Sequence, residues 1–269
     1  MEVYALKDIS FELQDGEFAA LIGHTGSGKS TLVQLLNGLL TATSGTIRFD
    51  GRDIHEQGFS LKDLRRQVGL VFQYPEHQLF EVDVITDVMF GPKNLGLSPE
   101  EARERAKEAL ALVGMGEDIY EKSPFDLSGG QKRRVAIAGV LAMKPRVIIL
   151  DEPTAGLDPK GRDEILEELD RLNQEQHLTI LLVSHSMEDV AEHAGRLLVL
   201  SQGSLLYDAP PKEVFRHMEE LEKVGLSAPQ VSYIVRECRR RGIDLGENIT
   251  TVAEARDAVL KLWREKTGQ

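Results

Sequence analysis

The segment Gly23-His24-Thr25-Gly26-Ser27-Gly28-Lys29-Ser30 fits G-x-x-x-x-G-K-[ST] at every position. Its glycines let the backbone curl so that successive N–H groups face phosphate oxygens. Lys29 supplies a cation for β- and γ-phosphates; Ser30, with Thr31 beside it, supplies a hydroxyl for Mg²⁺. A second set lies at Val147-Ile148-Ile149-Leu150-Asp151-Glu152. Two adjacent carboxylates after four apolar residues are costly unless they have a chemical task. Asp151 suits the metal, directly or through water, and Glu152 suits polarising an attacking water. A third set is Leu127-Ser128-Gly129-Gly130-Gln131, a serine cap and two glycines that expose backbone N–H groups where a helix begins. The chemistry expected is binding and hydrolysis of a nucleoside triphosphate with Mg²⁺. Two glycine motifs, each without a matching half, point to a nucleotide shared between two chains.

These groups need a scaffold, and the flanking sequence supplies one. Phe18-Ala19-Ala20-Leu21-Ile22 is a buried-strand run before the loop, and Leu32, Leu35, Leu36 and Leu39 recur at helical spacing after it. Residues 147–150 read as a central strand, and open α/β sheets bind ligands at the carboxyl ends of their strands. Strand and helix signals alternate as a mostly parallel sheet requires, with a helical break at about 73–143. Inside it, Ser98-Pro99-Glu100-Glu101 is a capping box, and Ala102, Ala106, Ala109, Leu110 and Val113 line one helical face. Gly203 marks a hairpin between Leu197–Leu200 and Leu205–Tyr207, and Pro210-Pro211 marks a boundary. Two further helical stripes come next, Val231, Ile234, Val235 and Cys238, then Ala255, Val259, Leu262 and Trp263. The expected division is a nucleotide-binding domain over residues 1–218 and a small helical packing or dimerisation domain over 219–269.

Composition narrows the partners. The 269 residues carry 32 basic and 44 acidic side chains, a net charge of −12 that disfavours non-specific contact with nucleic acid or anionic lipid. No apolar run reaches the length of a membrane span, and no signal peptide is read at the start. The single cysteine, Cys238, excludes an internal disulfide and suits a reducing compartment. Membrane association must then come through a protein partner.

With these motifs in this order, residues 5–215 resemble the nucleotide-binding subunits of ABC transporters. The resemblance implies an α/β P-loop ATPase core with a mixed sheet and an inserted helical subdomain. It makes Leu127–Gln131 the family signature and Gln73, after Val68-Gly69-Leu70-Val71-Phe72, the glutamine that senses Mg²⁺ and the attacking water. It makes Ala155-Gly156-Leu157-Asp158 the D-loop that crosses a dimer interface, and His185, after Thr179–Val183, the switch histidine at the γ-phosphate. It also implies that two subunits lie head to tail, each signature closing on the other's ATP. An adenine-stacking aromatic is expected upstream of the loop. Tyr4 is the upstream tyrosine, but it lies a few residues too close, and the N-terminus is expected to be short of its first strand.

Gln73-Tyr74-Pro75-Glu76-His77-Gln78-Leu79-Phe80, Phe90-Gly91-Pro92, Ser123-Pro124-Phe125 and Val135–Ala142 narrow the resemblance to energy-coupling factor transporters. His24-Thr25 and Arg133-Arg134 are most similar to the second, A-prime type of that group's paired ATPases. The resemblance implies a peripheral subunit on the cytoplasmic face of the cell membrane. Its partners would be a second such ATPase (heterodimer or homodimer), a transmembrane T component and, through the complex, a substrate-binding S component. The cargo, vitamin or metal ion, stays open. So does the placement of Leu79, Phe80 and Phe90, either in a groove for the T component or in the core of the helical subdomain. Another ABC importer, or an ABC ATPase with no transport role, remains the alternative.

Overall fold

A computed structural model describes residues 4–267. Along the chain run β1 (Phe18–Gly23), α1 (Lys29–Leu36), β2 (Arg48–Phe49), β3 (Arg52–Asp53), α2 (Leu61–Gln67) and β4 (Val68–Val71). Then come α3 (Val84–Asn94), α4 (Pro99–Leu112), α5 (Gly129–Leu141), β5 (Val147–Asp151), α6 (Pro159–Gln176), β6 (Thr179–Val183) and α7 (Met187–His193). The last elements are β7 (Arg196–Ser201), β8 (Ser204–Ala209), α8 (Pro211–Val214), α9 (Met218–Lys223), α10 (Gln230–Arg240) and α11 (Val252–Thr267). The chain forms two compact units, one holding Phe18–Lys29 and everything from Ser184 onward, the other holding Ser30–Val183.

In the Ser30–Val183 unit, β4, β5 and β6 pair in parallel, with Val68 opposite Val147 and Val147 opposite Thr179. All five residues of β6 are buried, as are Ile148, Ile149 and Leu150 of β5, which explains their unbroken apolar runs. Each such Leu or Ile contributes about 1.5–3 kcal/mol by leaving water. α4 opens on the expected capping box: Ser98 Oγ accepts from Glu101 N–H, and Glu101 Oε2 accepts from Ser98 N–H. Its predicted apolar face is buried from Ala102 through Val113 and meets α3 and α5. α1 stops at Leu36 because the chain turns left-handed at Gly38 (φ 67°). Leu39 therefore falls outside the helix and is exposed, contrary to the helical stripe expected of it.

In the other unit, β1 pairs in parallel with β7, Ala19 opposite Arg196, and β7 returns antiparallel as β8 through Gln202-Gly203. Parallel and antiparallel pairing together make the fold α/β with mixed strand directions. Every residue of β1 is buried. Val231, Val235 and Ile249 form a small separate core under α10 and α11, with Leu245, Ala255 and Ala258 packed on it. The two stripes expected there are only half used inward. Ile234, Val259 and Trp263 of those stripes are exposed, as is Val252 outside them. Among the described residues no strand precedes β1, Tyr4 is exposed, and no helix is long and apolar enough to cross a membrane.

Candidate functional site

The loop between β1 and α1 is held by contacts at Gly23, His24, Ser27, Gly28 and Lys29. A Cβ on Gly23 would lie 2.5 Å from the carbonyl oxygen of Leu200 and 2.5 Å from Ser27 Oγ, so the strand end admits only glycine. Gly28 adopts φ 107°, and a Cβ there would meet the Ala5 carbonyl oxygen at 2.8 Å. Gly203 N–H donates to Ser27 O at 3.0 Å, and Lys7 N–H donates to Gly203 O at 2.7 Å, which ties the loop to the β7–β8 turn. His24 adds another tie. Its Nδ1 bonds the Thr25 carbonyl at 2.9 Å, leaving Nε2 to accept from Gln202 N–H at 3.4 Å. Lys29 is buried, and its Nζ donates to Gly23 O at 2.6 Å and His24 O at 3.2 Å. A buried ammonium folded onto the carbonyls of its own loop sits beside backbone donors shaped for anions. His185, two residues past β6, is exposed in this same unit, just before the Ser186 cap of α7.

The carboxylates belong to the other unit. Asp151 ends β5, and Glu152 comes next at φ 51°, a left-handed conformation that a non-glycine residue holds only when its surroundings dictate it. Glu152 N–H donates to Val183 O at 3.0 Å, continuing the ladder past the strand, and Ala155 N–H returns to Glu152 O at 3.2 Å. Gln73 Nε2 donates to Glu152 Oε2 at 3.2 Å across 79 residues of sequence, so two of the predicted residues meet directly. Tyr74 turns left-handed (φ 56°) after Gln73 and starts a single turn over Pro75–Gln78.

Ser128 caps α5 in a second capping box, accepting from Gln131 N–H at 3.3 Å while Gln131 Oε1 accepts from Ser128 N–H at 3.0 Å. Leu127 is buried, whereas Gly129 is exposed and a Cβ there would meet no atom within 4 Å. Its own chain therefore gives no steric reason for that glycine. Gly130 faces the segment between β5 and α6, with Leu157 Cδ2 3.9 Å from where its Cβ would be; Asp158 caps α6, and Ala155 and Gly156 lie between Glu152 and that cap.

The three apolar residues whose placement the sequence left open divide between core and surface, and one long-range pairing escaped sequence reasoning. Leu79 is core, but Phe80 (58% exposed) and Phe90 (45%) pack edge to face at 5.0 Å on the surface, with Val82 and Phe125 also exposed. Arg133 on α5 is 2% exposed and bridges to Glu76; burial pushes that carboxyl up, but the hydrogen bonds and charge of Arg133 outweigh it and hold it below the usual range. A charge on the face shared with the buried Ile137 and Leu141 was the available signal.

The ABC transporter family model matches residues 6–155, more than half of the chain. The energy-coupling factor transporter ATP-binding protein EcfA2 of Clostridium perfringens (strain 13 / Type A) is 55% identical, covering 98% of this chain and 93% of that protein. The protein of the same name from Caldanaerobacter subterraneus subsp. tengcongensis is 54% identical over 97% of this chain and 91% of its own. Among solved structures, cbiO1 from Clostridium perfringens, part of the ABC transporter complex cbiONQ, superposes with a TM-score of 0.75 at 42% identity, covering 86% of this chain and 92% of that one. The ATP-binding cassette MJ0796, solved as a dimer in a post-hydrolysis state with ADP and Pi, gives 0.69 at 32% identity, covering 78% and 91%. The activity is ATP hydrolysis coupled to transport. Motifs, fold and relatives agree, and the chain belongs to the energy-coupling factor transporter ATP-binding proteins of the ABC transporter family.

Proposed function

We propose that this chain is one of two motor ATPases in a micronutrient importer and that each ATP is hydrolysed between two chains. The observation that carries the reading is the Gly23–Ser30 loop, with buried Lys29 parked on its carbonyls. On binding, Gly23, His24, Thr25, Gly26, Ser27 and Gly28 wrap the phosphates, and Lys29 exchanges the loop carbonyls for the β- and γ-phosphates. Ser30, Gln73 and Asp151 would hold Mg²⁺, a hard ion suited to their all-oxygen donor set, and the bound ion would offset phosphate charge. Thr31 supports that end of the loop. Glu152, oriented by the Gln73 amide, takes a proton from the attacking water as the bond to ADP breaks. His185 contacts the γ-phosphate.

Leu127, Ser128, Gly129, Gly130 and Gln131 serve the ATP of the neighbouring ATPase, their helix N-terminus facing its γ-phosphate. The unexplained glycine at 129 supports this, since an approaching molecule supplies the reason the chain itself lacks. Ala155, Gly156, Leu157 and Asp158 run along the same contact. MJ0796 is dimeric after hydrolysis, which fits a paired arrangement here. The neighbour is a second ATPase of the same family, as a heterodimer or homodimer, and residues 219–269 add to that pairing through the exposed Ile234, Val259 and Trp263.

The pair sits at the cytoplasmic face of the membrane under a transmembrane T component, with an S component carrying the cargo. The exposed Phe80–Phe90 pair in the helical subdomain (about 73–143) is the proposed seat for an apolar helix of the T component. Phe80→Asp should abolish co-purification with that component in mild detergent while leaving ATP binding unchanged. Unchanged co-purification would sink the docking assignment.

A further inference from the structure

Arg133 is the most deeply buried charged side chain in its helix, and its four hydrogen bonds connect three parts of the site. Nε donates to Glu76 Oε2 at 3.1 Å, and Nη2 donates to Glu76 Oε1 at 2.8 Å, a fork that uses both carboxylate oxygens. Nη1 donates to the carbonyls of Pro153 at 3.0 Å and Ala155 at 2.6 Å. Glu76 lies three residues after Gln73, and Pro153 directly succeeds Glu152. One guanidinium thus fixes the backbone next to both members of the Gln73–Glu152 hydrogen bond. It stands in the second turn of α5, the helix capped by Ser128.

Stability alone does not explain an arginine here. A buried ion pair replaced by well-packed apolar residues is often neutral or stabilising. What arginine adds is a rigid planar fork that sets the angle and spacing of its acceptors. Glu152 needs such restraint, because its φ of 51° is unfavourable by about 1–3 kcal/mol in a non-glycine residue. With Val183 O on its N–H and Arg133 on the carbonyls of Pro153 and Ala155, that conformation is held from both sides.

We propose that Arg133 is a positioning residue for hydrolysis: through Glu76, Pro153 and Ala155 it sets the geometry of the Gln73–Glu152 pair and locks that pair to the signature helix. The helix that serves a neighbour's nucleotide and the carboxylate acting on this chain's own then move as one body. The proposal rests on Glu152 being the base, and its test separates the two.

ATP turnover and ATP affinity would be measured in the assembled transporter for Arg133→Met, Arg133→Met with Glu76→Leu, and Glu76→Gln, with the melting temperature of each. Arg133→Met should lower kcat by about 10- to 100-fold, the scale of an ångström-level misplacement, with KM within about twofold of native. In the double variant the melting temperature should recover, since no unpaired charge stays buried, while kcat stays low. A purely structural arginine would instead let kcat recover with the melting temperature, and that result overturns the proposal. Glu76→Gln keeps the shape but leaves buried Arg133 without its counter-charge, so the double variant is the one expected to fold as the native chain does. Glu76→Gln should lose kcat without losing affinity, and native kcat in it also overturns the proposal. Normal turnover in Glu152→Gln beside low turnover in Arg133→Met would topple the base assignment alone; the reverse pattern would topple Arg133 alone.

Discussion

In the assembled transporter, Glu152→Gln is expected to bind ATP as the native chain does and to turn it over about 10²–10⁴-fold more slowly, the usual worth of a positioned general base. The substitution is nearly isosteric. Gln73 Nε2 keeps an oxygen to donate to, because the 3.2 Å bond needs only an acceptor at that position. The left-handed backbone at residue 152 is unchanged, as are its bond to Val183 O and the Arg133 bonds beyond it. What disappears is the capacity to take the proton of the attacking water. ATP should accumulate unhydrolysed in a closed pair, visible as nucleotide retained through gel filtration. Native turnover by this variant would remove Glu152 from the mechanism.

Lys29→Ala is expected to act one step earlier and weaken ATP binding by about 10²-fold or more, the worth of two charge-assisted hydrogen bonds to phosphate. The lysine is buried against carbonyls at 2.6 and 3.2 Å, so it is already delivered to the loop and loses little freedom when phosphate arrives. The rest of the cradle survives its removal. Lys29 gives up its bond to Gly23 O, but the backbone bonds of Ser27 N–H to His24 O and of Gly203 N–H to Ser27 O do not depend on it. Nucleotide titration with a melting-temperature control checks this, and native affinity in a folded Lys29→Ala chain would mean the phosphates bind elsewhere.

Local chemistry was the legible part of the sequence. The glycine turn between β1 and α1, the paired carboxylates at the end of β5, the Ser98 capping box and the Ser128 cap depend on residues within a few positions of each other, and each forms the local element that its spacing predicted. The Gln202-Gly203 hairpin was readable for the same reason. Long-range pairing was not. Glu76 and Arg133 are 57 residues apart, and nothing local says that a glutamate in a loop will face an arginine on a helix. Exposure was also hard to read where apolar residues keep helical spacing. Leu79 turned inward while Phe80 and Phe90 turned outward, and Val231 and Val235 are buried beside an exposed Ile234. Periodicity marks an apolar face, and only the packing of neighbouring elements decides whether something covers it. The left-handed backbone of Glu152 was invisible too, since the residue type argues against it and the strand end imposes it.

The central claim is that this chain's phosphate loop and its signature serve two different ATP molecules. Turnover per chain, measured on a proven monomer and again after pairing with the second ATPase, tests it most directly. The account predicts ATP binding without measurable hydrolysis by the monomer and hydrolysis that appears only with the pair. Brisk turnover by the monomer would contradict it.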